Sequence, residues 1–122
     1  MGGRRTPDIT KQNGVTVVAL GPEYESLDEH GLDDLKDAIL SVADTADPPR
    51  VVLDLSHTQF FGSAFIEVLF RTWTRLNARD GGKFAISGVT SYCADVIEVT
   101  HLDRLWDFFP SRDEAIASLS DE

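Results

Sequence analysis

The chain has 122 residues, room for one domain around one core. Hydrophobic residues make up 42% of it, too many for a disordered chain, and 11 Lys and Arg stand against 21 Asp and Glu. The resulting formal charge of −10 argues against nucleic acid or an anionic membrane as the partner and favours a protein with a basic face.

Residues 1–8 read as a flexible tail ahead of one domain spanning 9–120. The tail lacks the apolar segment of a signal peptide, although Gly2 and Thr6 match the short Met-Gly-x-x-x-Thr acylation pattern. No window is long and apolar enough to span a bilayer. The single cysteine, Cys93, rules out an intrachain disulfide, and together these features predict a cytoplasmic location.

Ile9 to Gln12 predicts a first strand, Asn13-Gly14 a hairpin turn, and the β-branched run Val15 to Leu20 a second strand broken by Gly21-Pro22. Leu32, Leu35, Ile39 and Val42 recur at helical spacing, which predicts a helix over about 27–43 with Asp28, Glu29, Asp33 and Asp34 at its positive end. Val51, Val52, Leu53 and Leu55 are apolar on both parities, the mark of a central strand buried on both faces. Phe65, Ile66, Leu69, Phe70, Trp73 and Leu76 form one helical stripe, ended by Asp80-Gly81-Gly82. Lys83 to Ser87 predicts a further strand. Ser91 predicts the cap of a short helix, Leu105 to Phe108 a last strand, and Ser111-Arg112-Asp113-Glu114 a capping box before a terminal helix. The fold class is therefore α/β, a single domain with a central mixed sheet of four to five strands and about four helices.

Few residues offer chemistry. Asp54 ends a hydrophobic strand as a magnesium-binding aspartate of an NTPase does, but there is no Gly-x-x-x-x-Gly-Lys-Ser/Thr loop, so its local reading is a carboxylate that caps the next loop. Ser63 has His57 and Asp54 nearby in sequence, but the nucleophile elbow Gly-x-Ser-x-Gly is missing. His30, His57, His101 and Cys93 are scattered without metal-ligand spacing, and Cys93 reads as a packed thiol. No catalytic activity, cofactor or metal is expected. From local pattern alone, Ser63 is the N-cap of the helix that follows.

The strand VVLDLS, the loop up to Ser63, the helix AFIEVLFRTWTRL, the Gly-Gly-Lys turn into KFAIS and the segment VIEVTHLDRLW together resemble the STAS domains of bacterial anti-sigma factor antagonists. The resemblance runs from about Ile9 to Leu119. It implies a signalling module of transcription regulation, in which the serine at the position of Ser63 is phosphorylated by a partner that is both serine kinase and anti-sigma factor, of the histidine-kinase-like ATPase type. A metal-dependent serine phosphatase reverses the modification, and the unphosphorylated domain binds the kinase. The partner surface expected for such a module is Ser56, His57, Thr58, Gln59, Phe61, Gly62, Ser63, Ala64 and Glu67, with a contribution from Gly21 to Ser26. The family motif Asp-Ser-Ser/Thr/Ala-Gly here reads Gly62-Ser63-Ala64-Phe65. That departure leaves open a constitutive interaction or scaffold module that is not phosphorylated. A small-ligand-binding or hydrolytic α/β protein is a third reading, supported only by Gly62 beside a hydroxyl. The sequence does not fix an oligomeric state.

Overall fold

The computed structural model describes residues 7–21, 24, 26–27 and 32–120. β1 (Asp8–Gln12) and β2 (Val15–Ala19) form a hairpin closed by Asn13 and Gly14. Both turn residues take positive φ, 53° and 79°, the two-residue geometry whose twist matches the flanking strands. β3 (Ser26–Leu27) is a two-residue strand, followed by α1 (Leu32–Thr45), β4 (Arg50–Asp54), the equally short β5 (Phe60–Phe61) and α2 (Ser63–Asn77). The chain closes with β6 (Lys83–Ser87), α3 (Ser91–Val99), a 3-10 turn at Leu102–Arg104, β7 (Asp107–Phe109) and α4 (Arg112–Leu119).

The main sheet has the order β1-β2-β4-β6-β7, with β1 antiparallel to β2 and the other neighbours parallel. The strand with no alternation, β4, is its middle member, as burial on both faces demands. Side-chain parity then divides the core. Val51, Leu53, Phe84 and Ile86 point into the larger cluster with residues of α1, α2 and α3. Val52 and Ala85 point the other way, into a small cluster with Val15, Val17, Ala115, Ile116 and Leu119, so α4 covers that face. The mixed five-stranded sheet and the four helices agree with the expected α/β class.

Several element edges differ from expectation. Leu27 lies in β3 and α1 is described from Leu32, so the first helix does not begin at 27; Asp28, Glu29 and His30 lie outside the described residues. Leu105 and Trp106 precede the last strand rather than forming it: Trp106 is drawn into the core, within 5.2–6.5 Å of the rings of Phe70, Trp73, Phe84 and Phe108. In the α2 stripe, Phe70 lies at the margin and is exposed, while Thr72 is buried because its hydroxyl is satisfied by the Val68 carbonyl at 2.8 Å. The cap of α3 is Thr90, not Ser91, and its hydroxyl donates to the Thr58 carbonyl instead of to the helix. Ser111 does cap α4, accepting from the Glu114 amide at 3.2 Å. Of the expected tail, residues 1–6 lie outside the described residues, and Asp8 already belongs to β1.

Candidate functional site

The loop from Ser56 to Gly62 leaves the C-terminal end of β4, where parallel sheets commonly place their sites. Asp54 starts it. The Ser56 amide and hydroxyl donate to Asp54 Oδ1 at 3.1 and 2.8 Å, so the carboxylate caps the loop as its sequence position predicts. Its other oxygen, Oδ2, accepts from Arg112 Nε and Nη2 at 3.0 and 2.7 Å. Burial by itself would push this carboxyl up; hydrogen bonds from Arg112 and Ser56 and the arginine's charge outweigh it and hold the carboxyl below its usual range.

The middle of the loop is pinned inward. Thr58 is fully buried, its hydroxyl donating to the Tyr24 carbonyl at 3.1 Å, and its carbonyl accepts from Thr90 Oγ1 at 2.9 Å. Cys93, the packed thiol, lies 3.7 Å from the same carbonyl, and burial pushes its pKa up. In β5 the two phenylalanines split by parity. Phe61 is buried against Phe65, with ring centroids 5.6 Å apart, and Phe60 is exposed. Ser56, His57, Gln59, Phe60, Ser63 and Glu67 form the outer surface, with Gly62 and Ala64 half-buried between them. Thr58 and Phe61 lie beneath that surface and hold it. Tyr24, from the second expected segment, is buried as well, and Pro22, Glu23 and Glu25 lie outside the described residues.

Ser63 is not the N-cap of α2. The cap is Gly62, extended at φ −105° and ψ −174°, with no side-chain hydrogen bond to offer. Ser63 is the first helical residue, exposed, and its hydroxyl makes no hydrogen bond among the described residues. The Gly62 carbonyl accepts from the Phe65 and Ile66 amides, whereas the Ser63 and Ala64 amides have no partner among the described residues. The hydroxyl thus sits beside two open N–H groups at the positive end of a 15-residue helix, a setting that tolerates added negative charge.

Hydrolytic chemistry has no support in this geometry. Asp54 is engaged by Ser56 and Arg112 rather than by His57, and no hydrogen bond joins His57 to Ser63 among the described residues. No group of three or more His, Cys, Asp or Glu among the described residues is placed to hold a metal ion. No helix of the described residues is long and apolar enough to cross a membrane. Arg112, 58 residues from its partner, reads in the sequence only as part of a capping box. For the exposed Phe60, local sequence gives no signal.

The profile of the STAS domain matches residues 6–115. No match to a curated protein is found. Among solved structures, an anti-sigma-factor antagonist (STAS) domain protein from Planctomyces limnophilus is 32% identical, with a TM-score of 0.89 over 94% of this chain and 98% of that one. An anti-sigma factor antagonist from Mycobacterium paratuberculosis is 26% identical, with a TM-score of 0.78 over 93% and 92% of the two chains. The anti-sigma factor antagonist SpoIIAA in its unphosphorylated form shares the fold at 12% identity, with a TM-score of 0.64 over 93% and 96%. With a family profile covering nearly its whole length and a relative at this level of identity, the chain belongs to the STAS domain family.

Proposed function

We propose that this chain is an anti-sigma factor antagonist whose partner binding is switched by phosphorylation of Ser63. The partner is an anti-sigma factor that is also a serine kinase, of the histidine-kinase-like ATPase type. A metal-dependent phosphatase returns the serine to its free form in the cytoplasm. The observation that carries the reading is the Ser63 hydroxyl itself: exposed, without a structural partner among the described residues, and beside two open helix amides.

A phosphoserine there brings about −1.5 to −2 charges, which the helix end accepts without refolding. The same charge placed in an interface repels acidic groups and disrupts packing, so the complex parts while the domain stays folded. A tenfold change in affinity needs only about 1.4 kcal/mol. Ser56, His57, Gln59, Gly62, Ser63, Ala64 and Glu67 form the contact surface, with Thr58 and Phe61 setting its shape from below.

The test uses wild type and Ser63→Glu as paired baits in native cytosol. The expected outcome is an ATPase retained by wild type and lost with Ser63→Glu. Retention of the same ATPase by both would contradict the switch. That outcome would favour the second reading, a constitutive interaction module, for which Gly62 in place of the family's aspartate speaks.

A further inference from the structure

Asp54 holds two parts of the molecule at once. Along β4, Val52 faces the α4 side of the sheet, and Asp54 continues that parity to meet Arg112, the first residue of α4. One carboxylate oxygen is therefore engaged by α4 and the other by the start of the Ser56–Gly62 loop. Ser87, its register partner on β6, is buried with a hydroxyl that makes no hydrogen bond among the described residues, so it does not share the carboxylate. Gly88 closes the third side. At its φ of +71°, a Cβ would stand 2.9 Å from both Asp54 Oδ1 and Ser56 Cβ, so only a bare backbone fits against this junction.

The geometry points to Arg112 as a positioning residue for the partner-binding loop, acting through Asp54 from the face of the sheet opposite α2. The inference rests on the reading of that loop as the partner surface. Both guanidinium bonds converge on Oδ2 and anchor that oxygen on the α4 side, which leaves Oδ1 turned to the Ser56 amide and hydroxyl. Without the guanidinium, a buried carboxylate loses its counter-charge and has to turn toward water or take up a proton. Either response weakens both bonds to Ser56 and frees the first residue of the loop. A lysine restores the charge but not the planar fork, so it replaces arginine only in part. α4 thereby becomes an element through which events on the far face reach the loop that presents Ser63.

The test compares wild type, Arg112→Lys, Arg112→Met and Gly88→Ala in two measurements. Amide exchange by NMR reads the loop directly. Ser56 is expected to exchange about tenfold faster in Arg112→Met, with Arg112→Lys between it and wild type and β6 amides unchanged. Affinity for the ATPase that wild type retains is expected to fall in the same order, by about tenfold in Arg112→Met, with Gly88→Ala weakening it too. Unchanged Ser56 exchange in Arg112→Met, or faster exchange with unchanged affinity, would overturn the proposal. Should Arg112→Met fail to fold, Arg112→Lys decides by the same readouts. A wild-type protein that retains no ATPase contradicts the proposed function instead, and the exchange measurement still decides whether Arg112 sets the loop.

Discussion

Replacing Phe65 tests how the fold presents its serine. Successive helical residues are about 100° apart, so Phe65 and Ser63 lie about 200° apart around α2. Phe65 is fully buried, at 0% exposure, between Phe61 and the α1–α3 side of the sheet. Its ring therefore sets the rotation of the helix that turns Ser63 outward. Truncation to alanine removes a core ring from a site with no nearby solvent, at a cost of about 3–5 kcal/mol. Glycine, the family's residue at this position, adds about 1 kcal/mol for its helix penalty. For a domain of this size each kcal/mol moves the melting temperature by about 3–5 °C, so Phe65→Ala should lower it by about 10–25 °C. Thermal and urea unfolding followed by circular dichroism would measure this. A loss below about 1 kcal/mol would mean that the ring is not in the core and does not set the orientation of Ser63.

The cap assignment makes a paired prediction. Ser63→Ala should change stability by less than about 0.5 kcal/mol, whereas a capping serine would cost about 1 kcal/mol. Gly62→Asp should stabilise by about 0.5 kcal/mol, since a Cβ there meets nothing within 4 Å and the carboxylate can take the open amides of the first turn; a destabilised Gly62→Asp would refute the assignment. Asp54 predicts a pH dependence. Its folded carboxyl lies below the ordinary value of 3.8, so its contribution is present above that value and is lost as pH falls through the folded pKa. The stability gap between wild type and Asp54→Asn, from melts at about pH 2–5, should therefore shrink toward the acid end. A gap that stays constant or widens there would contradict the Arg112 contact.

Much of this architecture was legible because it rests on local pattern. Val51, Val52, Leu53 and Leu55, apolar on both parities, had to mark a central strand, and Asn13-Gly14 had to close a hairpin. The helix starts slipped by one residue, at Gly62 against Ser63 and Thr90 against Ser91, because a hydroxyl beside a helix start fits either the cap or the first turn. What decides between them is tertiary: burial of Phe65 fixes the phase of α2, and the Thr58 carbonyl draws the Thr90 hydroxyl away from its helix. The β3–β5 pair, two residues on each side, carries no periodicity to read. The least legible feature is the Asp54–Arg112 pair. Asp54 announced itself as a loop cap, but nothing in the sequence between it and a partner 58 positions away says that α4 will return to meet it.

The switch itself is tested most directly by incubating the protein with the ATPase it retains and MgATP, then mapping the product by mass spectrometry and measuring its affinity for that ATPase. The expected result is one phosphoryl group, on Ser63, absent from Ser63→Ala, and a phosphorylated form that binds at least tenfold more weakly while unfolding at about the same temperature. An unmodified Ser63, or a phosphorylated form that binds as tightly as the free one, would contradict it.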